Sequence, residues 1–338
     1  MRSRWSLVSV SALLVGAGCA HVAPGRPPPE VAWPAPPAEA RVRLVAVFPD
    51  PGAPAPARSA WQTILDAVTG RDPVREAHAW VVRPFGVAGL PGGGWAIADP
   101  DGAAVLRLPP GSEPARVGCR GREWQAPMAV AAAPDGALWV ADGGAAAVVR
   151  VAPDGSCRAT AAGTFERPTG IAVAGGRVFV ADPPRHQIVA LEASGEVAAR
   201  FGGHGEGDGE LNFPTAVAVD RDGNLLVVDA LNFRIARFSP DGRWLGAFGE
   251  AGDAGGALAR PKGVAVDGTG RIYVTDAQRD LVLVYSAAGA FEAALGAPGS
   301  EPGYLTMPAG VATAGSRLCV ADSQNRRVLV FEILGGRS

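Results

Sequence analysis

Few side chains in this 338-residue sequence can do chemistry. There are four histidines, His21, His78, His186 and His204. A metal or acid–base centre needs several histidines or carboxylates converging on one point. His186 and His204 follow one another in histidine order and are the pair the chain could bring to a two-histidine site. No Ser-His-Asp or Cys-His arrangement can be read from spacing. The glycine-rich run 202–209 has no following Gly-Lys-Ser/Thr and leads into a strand pattern, so a phosphate-cradling loop is not supported. Charge, by contrast, is patterned. Arg83, Arg167 and Arg260 each stand immediately before a proline, and Lys262, the sole lysine, lies two positions past Arg260. Arginine can hold a carboxylate or phosphate through two parallel hydrogen bonds. Cations converging on one opening would focus an anionic ligand. The structural alternative is that each Arg pairs with a neighbouring Glu or Asp or caps a loop carbonyl.

These positions belong to a repeat. Proline, any residue, a small residue and then Val or Ile recurs at Pro84, Pro127, Pro168, Pro214, Pro261 and Pro308, at spacings of 43, 41, 46, 47 and 47. An Asp closes an apolar run 14 or 15 residues after each proline: Asp99, Asp142, Asp182, Asp229, Asp276 and Asp322. Six copies with two anchors in fixed register are not chance. A carboxylate after a buried strand can accept backbone N–H groups of the following turn, a structural use that explains its register.

The fourth unit reads most clearly. Residues 216–219 make a short strand, and Asp220-Arg221-Asp222-Gly223 a turn. Residues 225–228, 234–238 and 244–248 make three more strands, with a Pro240-Asp241-Gly242 turn between the last two. Four antiparallel strands in about 45 residues is a propeller blade. One blade cannot bury both faces of its sheet, so six units imply an all-β, six-bladed β-propeller. The sixth unit ends after its third strand at 328–333. The alternating segment 41–48 has no partner of its own and is predicted to pair there, closing the ring and covering an open edge. Between it and the blades of 80–334, the insert 49–79 carries Trp61, Ile64, Leu65 and Val68 on one helical face, which predicts a short helix packed on the core.

Ahead of the repeats the chain reads as an address. Arg2 and Arg4 precede an apolar stretch over 7–18, too short to span a bilayer as a helix but suited to a signal peptide over 1–18. Small residues before Cys19 resemble the bacterial lipobox, which implies lipidation of Cys19 and a membrane anchor. Ala20, where an Asp would signal inner-membrane retention, implies the outer membrane of the cell envelope, facing periplasm or surface. Seven prolines within 20–40 exclude helix and central strand and read as an extended tether over 19–40.

The run 201–214, Phe-Gly-Gly-His-Gly-Glu-Gly-Asp-Gly-Glu-Leu-Asn-Phe-Pro, with Asp229-Ala230-Leu231-Asn232-Phe233-Arg234-Ile235, resembles the NHL repeat. Asp322-Ser323-Gln324-Asn325-Arg326-Arg327-Val328 agrees. The third and fifth units carry Arg185 and Arg279 where Asn is usual, and the first two carry Gly102 and Ala145. With the Cys19 tether, the chain resembles bacterial NHL-repeat lipoproteins. Related six-bladed propellers include the amidating lyase, streptogramin lyase and lactonases, and that resemblance implies a metal- or His-centred site near the channel. It makes a metal-dependent lyase or hydrolase, using Ca or Zn, the alternative function. None of the four histidines flanks the six prolines, so no cofactor is expected.

Counting turns places the loop into strand one and the loop after strand two at the same end of every blade, around the channel mouth. The longest such loops are 202–213, 249–260 and 296–307, and long loops on a rigid scaffold usually carry binding. The residues before the six prolines are Arg83, Ala126, Arg167, Phe213, Arg260 and Met307. The candidate ligand residues are therefore Arg83, Arg167, Arg260, Lys262 and, in the first long loop, His204, with no catalytic residues. The expected function is a non-catalytic, monomeric scaffold binding an envelope protein, a glycan or a small anion. A net charge of −2, falling to −4 once Arg2 and Arg4 are removed, argues against nucleic acid. Cys119 and Cys157 fall at opposite ends of outer strands, which argues against a bridge between them. Cys319 lies in a buried strand as a small hydrophobe.

Overall fold

The computed structural model describes residues 31–34, 39–49 and 80–334. The signal segment, Cys19 and the helix expected around 61–68 lie outside the described residues. Six antiparallel sheets stand in a ring, five of four strands and one of five. No helix among the described residues is long and apolar enough to cross a membrane.

Local chemistry sets each blade. In blade 4 the inner strand Pro214–Val219 ends at a turn in which Asp220 Oδ1 accepts from the N–H groups of Asp222 and Asn224, at 2.9 and 2.8 Å. Gly223 closes it at φ +84°, where a side chain would be strained. The second strand, Leu225–Asp229, is buried throughout, as are the corresponding strands Trp95–Asp99, Leu138–Asp142 and Ile272–Asp276. A strand buried on both faces reads as a continuous apolar run rather than an alternation. The third strand Arg234–Phe238 and outer strand Trp244–Phe248 follow in simple antiparallel order.

The hydrophobic core lies between blades. It divides into six clusters, each shared by two adjacent sheets. Leu226, Val228 and Ile235 of blade 4 pack with Val264, Ile272 and Leu283 of blade 5, for example. The last such layer joins Cys319, Ala321 and Val328 of blade 6 to Val87, Trp95 and Ile97 of blade 1. A single sheet could not stand alone with both faces apolar.

Towards the channel the inner strands meet edge on. The small residue of each repeat stands here: Gly86, Ala129, Gly170, Ala216, Gly263 and Gly310. A Cβ on Gly86 would lie 2.6 Å from Ala129 Cα, one on Gly170 2.6 Å from Ala216 Cα, and one on Gly263 2.6 Å from Ala309 O. Hydrogen bonds cross the same seams. Thr169 Oγ1 donates to Thr215 O at 3.0 Å, Thr215 Oγ1 to Lys262 O at 3.2 Å, and Gly310 N to Phe85 O at 2.7 Å.

The ring closes as the sequence predicts. Val42–Phe48 pairs antiparallel with Arg327–Ile333, from Val42 opposite Ile333 to Phe48 opposite Val328. Val42 and Leu44 are buried there among Leu318, Val320, Phe331 and blade 5 side chains. The docked chain reaches further back than this strand. Ala32–Trp33 adds a fifth strand on its outside, with Trp33 edge-on to Tyr304 at 5.8 Å. Two residues ahead of Pro34 suffice, because an outermost strand pairs on one side only.

The cysteine expectation fails. Cys119 and Cys157 form a disulfide with Cα atoms 5.6 Å apart, linking the rims of blades 1 and 2. Outer strands parallel to the channel would hold these two residues at opposite ends of the ring. Sheet twist of roughly 20–25° per strand accumulates to roughly 60–75° across a blade, turning outer strands towards the circumference. The tail of one outer strand then points at the head of the next. Arg120 Nη2 donating to Asp154 O at 3.2 Å marks the same junction. Cys319 is free and buried, and burial pushes its thiol up.

The abutting inner strands generate a stability prediction. Gly263→Val should cost about 1–3 kcal/mol in urea unfolding, because backbone of the next blade cannot give way. Gly268→Ala, in open space, should stay within about 0.5 kcal/mol. Equal costs would mean that the seam tolerates a side chain.

Candidate functional site

The six repeat carboxylates are fully buried, and hydrogen bonds to them organise the mouth. Most of their donors come from the loop into strand one rather than from the following turn. Asp142 accepts from Gln125 N and Ala126 N at 3.1 and 2.9 Å, and Asp276 from Ala259 N and Arg260 N at 2.7 and 3.0 Å. Following-turn donors are also present, at Gly102, Ala145 and Arg279. In blades 1, 2, 3 and 5 the Asp thereby sets where the residue before the proline of its own repeat stands.

Blades 4 and 6 use a fuller version. Asp229 accepts from Asn212 N, Asn232 Nδ2 and Arg234 Nε at 2.6, 2.8 and 2.8 Å. Arg234 reaches on to the carbonyls of Glu206, Gly207 and Glu210, pinning loop 202–213. Asp322, Asn325 and Arg327 repeat the arrangement over loop 296–307. Burial pushes the Asp322 carboxyl above its usual range, opposed by donors from Thr306, Asn325 and Arg327. With the carboxylate so occupied, the N–H before the proline turns to the preceding blade. Phe213 N donates to His186 Nδ1 at 3.1 Å and Met307 N to Asp280 Oδ1 at 2.6 Å. Phe213 and Met307 accordingly take φ of +60° and +50°.

The candidate ligand residues therefore separate. Arg83, Arg260 and Lys262 line one depression at the mouth, across blades 5, 6 and 1, with Phe85, Met307 and Gln324 among its walls. Arg83 Nη1 lies 3.3 Å from Asp101 Oδ2, an exposed pair. Among the described residues neither Arg260 nor Lys262 has a side-chain hydrogen bond or ion pair. Lys262 also lines the central channel. Its ammonium is held below the usual lysine range, first by burial and then by the nearby charges of Arg260 and Arg83. Arg167 stands apart, over the Phe213 ring at 5.7 Å. His204 packs against His186 with ring centroids 4.3 Å apart, away from both the depression and the channel.

The residues after five of the six prolines, Phe85, Met128, Thr169, Thr215 and Lys262, line the channel, and of these only Lys262 is among the sequence-based candidates. Their signal was the repeat register itself, one place past the residues singled out. Among the described residues no carboxylate or imidazole lines the channel, and a lysine stands in it, so this donor set does not suit a divalent cation there. Among the described residues no three His, Cys, Asp or Glu side chains come together in a metal-holding group.

No protein-family model matches the sequence, and no curated protein matches it. Solved structures do. Virginiamycin B lyase from Staphylococcus aureus is 13% identical, with a TM-score of 0.57 over 75% of this chain and 96% of that one. A gluconolactonase from Xanthomonas campestris is 16% identical, with 0.58 over 75% and 86%. A chain of a nidogen/laminin complex is 18% identical, with 0.56 over 71% and 86%. The likeness is one of fold. The chain is a six-bladed β-propeller, and such propellers include enzymes and components of protein complexes alike.

The carboxylates generate the prediction here. Asp276→Ala orphans Ala259, Arg260 and Arg279 N–H groups and should cost at least about 2 kcal/mol by urea unfolding. Asp253→Ala, exposed in loop 249–260, should cost no more than about 0.5 kcal/mol. A tolerated Asp276→Ala would remove the structural reading of the repeat Asp.

Proposed function

We propose that this protein is a non-catalytic binding propeller of the NHL-repeat type, anchored to the outer membrane of a bacterial envelope through Cys19. Its loop-rich mouth takes an envelope protein, a glycan or a small anion, and the chain acts as a monomer. The observation that carries the reading is the gathering of Arg83, Arg260 and Lys262 at one sector of the mouth, with Arg260 and Lys262 unpaired among the described residues. Structural tasks consume the six repeat carboxylates of the same face. Cationic groups not needed by the fold are where a ligand of opposite sign gains from the protein's field.

The metal-dependent lyase or hydrolase remains the second reading, and the contact of His186 with His204 favours it. His186 Nδ1 already accepts from Phe213 N, which leaves its other nitrogen as the one available to a metal. Elemental analysis of the purified protein separates the readings: stoichiometric Zn or Ca lost in His204→Ala would replace the scaffold by the enzyme.

Two outcomes are expected of the scaffold. Capture from envelope extract should recover a partner that is lost with the double change Arg83→Glu and Arg260→Glu and kept with Arg221→Glu in an opposite-face turn. Recovery indifferent to the mouth changes would overturn the assignment of this face. The Cys19→Ala chain should move from the membrane fraction to the soluble fraction and lose acyl labelling. Unchanged fractionation would overturn the anchor.

A further inference from the structure

Resting on the reading of the mouth as a binding face, we infer that the depression between blades 5, 6 and 1 is a site for a compact dianion, a phosphate monoester or dicarboxylate, bearing an apolar body. Arg83, Arg260 and Lys262 would hold the charged head, with Met307 and Phe85 against the body.

Charge sets the valence. Among the described residues no carboxylate lines the depression. Arg260 and Lys262 each bring a whole uncompensated charge among the described residues, whereas Arg83 shares its charge with Asp101 at the exposed rim. Two free cations and a third half-committed one suit a doubly charged head better than a single carboxylate. Two guanidinium forks flanking an ammonium also supply donors in more directions than two oxygens can use.

Position sets the shape. Arg83 and Arg260 precede the prolines of blades 1 and 5, and their backbones are fixed by Asp99 and Asp276. Between them blade 6 offers Met307 in place of a third arginine. The two arginines therefore share the lining with a thioether and the ring of Phe85. Lys262 lies below, where the depression meets the channel. A ligand entering head first meets the ammonium at the bottom, the guanidinium groups at the sides, and apolar surface wherever charge ends. Burial, and after it the neighbouring charges of Arg260 and Arg83, already disfavours the protonated ammonium. An arriving dianion reverses that cost, so binding and proton uptake at Lys262 are linked.

Linkage fixes the sign of the pH dependence. The Lys262 proton is lost below the ordinary lysine range in the free protein, and dianion affinity must fall as pH rises through that lowered value. Ligand in turn must raise the value. The charged groups of this sector are Arg83, Arg260 and Asp101 at the mouth and, behind it, the carboxylates of Asp99, Asp276, Asp280 and Asp322 that hold the backbone of its loops.

The full-length protein carries one lysine, so labelling lysine with 13C gives a single side-chain resonance to follow. The probes are inorganic phosphate, succinate and phenyl phosphate at constant ionic strength, with chloride as the monovalent control. Phosphate or succinate should shift the resonance and raise its titration midpoint, and phenyl phosphate should bind more tightly than phosphate. Calorimetry should show Lys262→Met and Arg260→Ala each weakening binding by about tenfold or more. Arg221→Ala, with the same charge change in an opposite-face turn, should stay within about twofold. An unmoved resonance up to about 10 mM of every dianion overturns the proposal. Binding that survives both Lys262→Met and Arg260→Ala also overturns it. If dianions fail while a captured partner still depends on Arg83 and Arg260, the face stands as a protein-binding surface and the small-ligand site falls.

Discussion

The structure depends on the approach of six inner strands around a narrow channel, which leaves no room for a Cβ at several of its seams. Gly86, Gly170 and Gly263 each sit where a methyl group would strike the backbone of the next blade at 2.6 Å. Because backbone meets backbone, neighbouring sheets lie at a fixed distance, and the apolar layers between them pack to that spacing. The side-chain-to-carbonyl bonds from Thr169 and Thr215 cross the same seams and orient them. Everything further out is suspended from this inner ring.

At the mouth, positions of one repeat do unlike work in different blades. Where Asn and Arg follow the carboxylate, as at Asp229 and Asp322, they saturate it and pin a long loop. The peptide before that blade's first strand then turns to the preceding blade, to His186 or Asp280. Where they are missing, the carboxylate holds the loop directly. His186 is thus spent on the scaffold, and the buried carboxylates are too. Within the depression, Arg260 and Lys262 are the charged groups that the described fold leaves without partners, and this gives their juxtaposition its weight.

The rim is held by different means. Blade 6 borrows its outer strand from the start of the chain and takes a further short strand from the segment before it, joining the two ends of the molecule. Blades 1 and 2 have short outer strands of two and three residues and lack the Asn-Arg arrangement. The Cys119–Cys157 crosslink stands at their junction, tying the least extensively paired part of the ring.

The sequence by itself determined the blade count, the strand order within a blade, the closure through 42–48 and the face that carries the long loops. It could do so because a repeat reports its own period, and because each strand's face is written in neighbouring residues. It also marked Arg83, Arg167, Arg260 and Lys262 as the patterned charges. Only the tertiary structure decided that Arg83, Arg260 and Lys262 meet while Arg167 lies over Phe213. Likewise only the fold showed that His204 finds His186 away from the channel, and that Cys119 reaches Cys157. Register along the chain tells which end of a blade a residue occupies. The angle at which twisted sheets lean on one another settles which of those residues touch, and that angle is a property of the packed ring, with no local signature in the sequence.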